Sequence, residues 1–205
     1  MIIEKFVVGP IETNCYVVSD EASRECAVID PGAEPERILR YLKDLALKCR
    51  YIFITHGHRD HTDGSVEICE TTGAPICIHK KDVGDVVVSR HGNFQPPEGT
   101  VYYKEGDVFQ VGSLEFQIIE TPGHSPGGVT ILCGDSMFCG DTLFRNSCGT
   151  VKAPGANFRT ELKSLKKLAC IEGDYKVYPG HHGETTLERE RNYNMYMIEA
   201  MDTLF

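Results

Sequence analysis

The sequence predicts an α/β protein built from two β-sheets that helices cover on their outer faces. Three observations carry this. Apolar, strand-like runs come in meanders separated by turn-forming residues. Amphipathic helical stretches are inserted between them. The series appears twice, in two similar halves of a 205-residue chain long enough to bury a sizeable core.

The first half opens with strands over residues 2–8 (IIEKFVV), 14–19 (NCYVVS) and 25–30 (ECAVID). Pro35, suited to a first helical position, starts a helix over 35–49. Ile38, Leu42 and Leu45 fall on one face of it, with a second apolar line at Leu39, Leu42 and Ala46. The unbroken apolar run 50–55 (RYIFIT) is a strand. A short helix follows over 62–72, then a strand over 75–79 (PICIH), then helix and loop over 80–100. The second half has strands over 113–121, 127–134 and 136–141. An amphipathic helix over 160–171 turns Leu162, Leu165 and Leu168 to one side. A last strand covers 175–180 and a last helix 186–201. No linker, low-complexity segment or short repeat interrupts the series.

Composition narrows the function classes. With 41% hydrophobic and 25% charged residues the chain is an ordinary globular protein. A net charge of −9 argues against a nucleic-acid partner. No apolar run approaches the roughly 20 residues that span a bilayer, so no membrane partner is expected. The N-terminus lacks the basic and apolar regions of a signal peptide, and the expected location is cytoplasmic. Nine cysteines, an odd number with no C-x-x-C pair, read as reduced core residues, Cys26, Cys77 and Cys133 among them. Cys148, in the loop RNSCGT, is the candidate for redox or metal chemistry.

The chemistry gathers in YIFITHGHRDHTDG, residues 51–64. Histidine nitrogen and aspartate oxygen are ligands for zinc, iron or manganese. On extended chain, His56 and His58 point the same way and can face one metal. Asp60 and His61 follow where the chain turns and can face a neighbouring point. The alternative is a solvated polar loop, which four such residues directly after a buried strand make hard to sustain. Other strand ends carry further candidates beside glycine: His124 in TPGHSPGG, Asp141 in CGDTLF, and His181 and His182 in YPGHHGETT. Rigid strands deliver such side chains to one edge of a sheet. His79 reads as a structural histidine and His91 as a solvated one.

The set DPG (Asp30), THGHRDH, TPGHSPGG, GDTLF and YPGHHGETT resembles the metallo-β-lactamase superfamily, and within it the small glyoxalase II-like (hydroxyacylglutathione hydrolase-like) hydrolases. The resemblance runs from about residue 5 to 195. It implies an αββα sandwich of two mixed β-sheets flanked by helices. Residues 1–205 would form a single domain without the C-terminal helical domain of full-length glyoxalase II enzymes. It also implies two divalent metal ions, zinc first and iron or manganese as alternatives. His56, His58 and His124 would hold one ion, and Asp60, His61 and His181 the other, with Asp141 bridging. Asp30 would hydrogen-bond a ligand or its loop, and His182 would be a pocket-wall residue able to touch substrate.

By this resemblance the chain is a metal-dependent hydrolase that uses a metal-bridging hydroxide on a thioester or ester. Asp60 would have a second, catalytic role, placing the hydroxide or carrying its proton. The substrate is a small molecule, and the chain a monomer or homodimer. The competing function is a mononuclear iron persulfide dioxygenase using His56, His124 and Asp141. The complete second ligand set argues against it. A nuclease is disfavoured by the acidic charge. A flavodiiron role is disfavoured because those relatives have glutamate where His58 stands. Thr150, Lys152 and Asn157 depart from the arginine-aspartate loop usual in small relatives, and Asp63 replaces a common glycine. The departures bear on substrate, glutathione above all, and leave the ligand set intact.

Overall fold

A computed structural model of the chain describes residues 1–84 and 94–205. The first half runs β1 (Ile2–Val8), β2 (Thr13–Ser19), β3 (Glu25–Ile29), α1 (Pro35–Asp44), β4 (Lys48–Ile54), α2 (Arg59–Thr62), α3 (Ser65–Thr72), β5 (Ile76–His79) and β6 (Val101–Tyr103). The second runs β7 (Val108–Val111), β8 (Leu114–Glu120), β9 (Val129–Cys133), β10 (Ser136–Gly140), β11 (Leu143–Phe144), β12 (Ser147–Cys148), α4 (Phe158–Ala169), β13 (Lys176–Pro179), β14 (Thr185–Thr186), α5 (Leu187–Tyr193) and α6 (Met195–Asp202).

Two six-stranded sheets result, in the orders β1-β2-β3-β4-β5-β6 and β14-β13-β10-β9-β8-β7. Both are mixed. The first is antiparallel from β1 to β3 and parallel from β3 to β6. In the second only β10 and β13 run parallel. Strand periodicity sorts the core into three layers. Tyr16, Ile29, Phe53, Phe116, Ile131 and Phe138 meet between the sheets. Val17, Val28, Ile52 and Ile54 pack outward against Ile38 and Leu42 of α1 and Ile68 of α3. Met137, Cys139 and Val177 pack outward against Leu162, Leu165 and Leu168 of α4 and Met197 of α6. The fold is therefore the expected αββα sandwich. Burial on both faces explains why β2, β9 and β10 show no polar–apolar alternation. Each large apolar side chain so buried contributes about 1.5–3 kcal/mol. No helix among the described residues is long and apolar enough to cross a membrane.

Three helices differ from the sequence reading. The first ends at Asp44, and Lys48 and Cys49 already belong to β4. Leu47 N–H donates to Leu42 O and Ala46 N–H to Lys43 O, with Ala46 at φ 50°. That is a Schellman stop with alanine in the usual glycine place, so no glycine marks it in the sequence. Leu45 consequently lies outside the helix and is exposed. The helix expected over 62–72 is two pieces, α2 and α3. The last helix breaks at Asn194, whose Oδ1 accepts from Tyr196 and Met197 N–H and so starts α6. Strands β6, β7, β11, β12 and β14 come from segments with no clear strand signal. Cys26, Cys77 and Cys133 are in the core, whereas Cys170 is exposed, and all nine cysteines are free. Of the helix-and-loop reading over 80–100, a 3-10 turn at Lys80–Asp82 is described. Residues 85–93, His91 included, lie outside the described residues.

Candidate metal centre

Strands β4, β8, β10 and β13 end at one edge of the sandwich, and each end carries candidate ligands a few residues on. The sheets are tied together there. Val129 N–H donates to Thr55 O across the sandwich, and Asn14 N–H donates to Gly180 O at 2.7 Å. Thr55 and His56 directly follow β4, and the chain then turns into α2, which carries Asp60 and His61.

Seven side chains converge in three overlapping groups: His56, His58 and His124; His56, His61 and Asp141; Asp60, His61 and His181. Within each group one donor atom per residue lies within 4.8 Å of the others. His124 Nε2 is 3.0 Å from His58 Nδ1. His61 Nε2 and His181 Nε2 each lie 3.2 Å from Asp60 Oδ2. Asp141 stands between the clusters. Its Oδ2 is 3.5 Å from His124 Nε2 and 3.6 Å from His181 Nε2, and its Oδ1 is 3.5 Å from His61 Nε2. Gly180 is required at this point, because a Cβ there would fall 2.3 Å from Asp141 Oδ1 and 2.7 Å from His61 Cε1.

The donor set fits cations. His56 Nε2, His61 Nε2 and Asp141 Oδ1 are buried without a hydrogen-bond partner. Leaving one buried polar atom unpaired costs about 1–3 kcal/mol, and here three face one small volume. Nitrogen and carboxylate oxygen in this mixture suit zinc, iron or manganese.

The far sides of the candidate ligands are held by hydrogen bonds that fix their orientation. Asp30, at φ 52° and buried, lies with Oδ2 2.9 Å from His61 Nδ1 and also accepts from the Thr55 hydroxyl at 2.6 Å. Its Oδ1 takes Thr55 N–H at 2.7 Å. His56 Nδ1 is 3.1 Å from Thr55 Oγ1. His124 Nδ1–H donates to Thr150 O at 2.7 Å, which turns its Nε2 lone pair inward. His124 N–H donates to Glu161 Oε2 at 2.7 Å. The Thr13 hydroxyl donates to Asp60 Oδ2 at 3.0 Å.

Electrostatics follow from this packing. Burial, then the neighbouring His61, His58 and His124, holds His56 well below the usual histidine range, so its imidazole is neutral. Burial also opposes a charged His61, but Asp30 and Asp141 outweigh it and raise His61 well above that range. The same field favours a cation at Nε2. Burial would raise the Asp60 carboxyl, yet the His181 and His61 rings that face it bring it far below the usual carboxylate range. Burial pushes the Glu161 carboxyl up to about 9, so it is a neutral acid at pH 7.

Three flagged residues stand apart from the convergent groups. His182 is exposed at φ 67°, its ring 5.4 Å from that of Phe144. It lines a 260 Å³ cleft with Ile11, Asn14 and His181. A second cleft of 330 Å³, walled by Val8, Pro10, Ile11 and Ala33, reaches Asp60. His79 Nδ1 accepts from Lys81 N–H and its Nε2 faces Glu120 at 3.1 Å, a structural role. Cys148 is half-buried, and burial pushes its thiol up to about 12, away from reactivity. Sequence reasoning missed Thr13, Thr55, Asp82 and Glu161. For Glu161 a signal existed: the i, i+4 spacing sets it on the same helix face as Leu165, a charge on a buried stripe.

The family model described as the metallo-beta-lactamase superfamily matches residues 8–181. The chain belongs to that superfamily. An uncharacterized protein of Aquifex aeolicus (strain VF5) is 38% identical over 98% of this chain and 100% of its own. The hydroxyacylglutathione hydrolase GloC of Haemophilus influenzae is 27% identical over 96% of this chain and 98% of its own. Among solved structures, the BLEG-1 B3 metallo-beta-lactamase superposes with a TM-score of 0.86 at 27% identity, covering 96% of this chain and 99% of that one. TTHA1623 in a di-iron-bound form gives 0.82 at 32% identity, covering 94% and 99%.

Proposed function

We propose that this superfamily member is a binuclear metal-dependent hydrolase of thioesters or esters. His56, His58 and His124 would hold one divalent ion and Asp60, His61 and His181 the other, with Asp141 placed to serve both. The observation that carries the reading is the convergence of three unpartnered buried donor atoms, on His56, His61 and Asp141, with Asp141 within 3.6 Å of histidines from both clusters. Zinc is the first choice of metal, and the di-iron state of TTHA1623 keeps iron open. Such a pair of ions, when bound, acidifies water towards neutral pH and polarises an acyl carbonyl.

The chain's own residues supply the rest. Asp60 Oδ2 is an acceptor at the site, braced by the Thr13 hydroxyl, and orients the attacking water. The cleft of Val8, Pro10, Ile11 and Ala33 beside Asp60 receives the apolar part of a substrate. His182 and Asn14 wall the other approach and contact the leaving thiol or alcohol. A small-molecule substrate, a cytoplasmic setting, and a monomer or homodimer complete the reading. The GloC relative supports thioesters.

The runner-up is a mononuclear iron persulfide dioxygenase. The Asp60, His61 and His181 group brings its donor atoms within 4.8 Å of one another, as the His56, His58 and His124 group does, which favours two ions over one. An activity panel of a thioester, a lactone, a phosphodiester and a β-lactam, run with an oxygen electrode, separates the two. Thioester turnover without oxygen uptake is expected. Oxygen uptake on a persulfide with no hydrolysis in the panel would reverse the assignment.

A further inference from the structure

Asp82 is fully buried at the end of the 3-10 turn after β5, in neither candidate metal cluster. Its Oδ2 accepts Gly57 N–H at 2.9 Å and the Ser125 hydroxyl at 2.6 Å. Its Oδ1 accepts Gly127 N–H at 2.5 Å. Gly57 lies between His56 and His58, on the loop leaving β4 in the first sheet. Ser125 and Gly127 directly follow His124, on the loop leaving β8 in the second sheet. One carboxylate thus ties together the two loops that deliver a histidine triad from opposite sheets.

The fit leaves no slack. A Cβ on Gly57 would fall 2.2 Å from Asp82 O, and one on Gly127 would fall 2.7 Å from Asp82 Oδ1 and 2.8 Å from His79 Nδ1. His79 sets the turn that presents Asp82, through the Lys81 N–H bond to its Nδ1. The second cluster hangs from other supports: Asp30 on His61, Thr13 on Asp60, and the backbone bridge between Thr13 and His181.

We infer that Asp82 is a positioning residue: it sets the spacing of His56 and His58 against His124, and through it the affinity of that one metal position. The inference rests on the binuclear reading above. Partners of this kind around metal ligands are worth roughly 10–100-fold in metal affinity. Asp82→Asn has a single acceptor oxygen and turns an N–H₂ donor toward a backbone N–H, so at least one loop is released. Ser125→Ala removes one of the three bonds and leaves both backbone contacts, which keeps the test available should Asp82→Asn fold poorly.

The experiment is calorimetric titration of chelator-stripped full-length protein with zinc, alongside thermal unfolding of the same stripped samples. In Asp82→Asn, one of two zinc equivalents should weaken by about 10–100-fold while the other stays within about threefold. Ser125→Ala should weaken the same equivalent by less. Equal weakening of both equivalents with a lowered melting temperature, or no weakening of either, overturns the inference. An unchanged variant beside a wild type that binds two zinc ions overturns it alone. A wild type that binds no zinc overturns the metallohydrolase reading with it.

Discussion

Asp30 Oδ2 lies 2.9 Å from His61 Nδ1, and the same carboxylate takes both the hydroxyl and the N–H of Thr55. One residue after β3 therefore orients a candidate ligand on α2 and the start of the loop that carries His56 and His58. Asp30→Ala should lower metal affinity about 10–100-fold and fall hardest on the ion held by His61. Equilibrium dialysis against zinc checks this. A variant with wild-type affinity for both ions would show that His61 needs no such partner.

Glu161 supplies the acceptor for His124 N–H from α4. At pH 7 its carboxyl is neutral, so Glu161→Gln is close in shape and charge and should stay within about 1 kcal/mol of wild type. Glu161→Leu leaves the His124 N–H unpaired and should cost about 1–3 kcal/mol. Urea unfolding at pH 7 measures both. Equal losses in the two variants would remove the hydrogen bond from the account.

Asp20 ties the β2–β3 turn to the β7–β8 turn. Ser113 N–H, then the Ser23 hydroxyl and Ala22 N–H, bring its carboxyl down to about 2 from the ordinary 3.8. The folded value lies below the unfolded one, so the folded state binds fewer protons in that interval. The contribution is complete above about pH 4 and is lost as pH falls through about 2. Asp20→Ala should lower stability at neutral pH and show a shallower acid loss between those limits. Denaturant melts from pH 2 to pH 7 read the slope, and a slope equal to wild type would contradict the assignment.

His182 lines the cleft beside His181 but joins none of the convergent groups. His182→Ala should raise KM for a thioester severalfold, with kcat and metal content unchanged, the pattern of lost ground-state binding. Steady-state kinetics with elemental analysis on the same preparation decides it. A fall in kcat at constant KM would place His182 in the chemical step instead.

The parts of the site that were legible in the sequence share a local cause. His56, His58, Asp60 and His61 stand in one short run after an apolar strand. His124, Asp141 and His181 each follow a strand and sit beside glycine, as a tight turn at a sheet edge demands. Residues that support them left fainter traces. Asp82 and Glu161 are single carboxylates held mainly by backbone N–H groups on distant loops, and backbone donors carry no residue signature. Helix ends were lost for a similar reason. Ala46 adopts a left-handed conformation where glycine is usual, and Asn194 both ends one helix and caps the next. The sheet edges β6 and β7 are short and partly exposed, so neither continuous nor alternating patterning announced them.

Two ions sharing Asp141 should show as a metal stoichiometry that tracks activity. Protein stripped by chelation and titrated with zinc should lose and regain thioesterase activity, reaching a plateau close to two zinc ions per chain. Saturation at one ion per chain, with full activity at that point, would contradict the account.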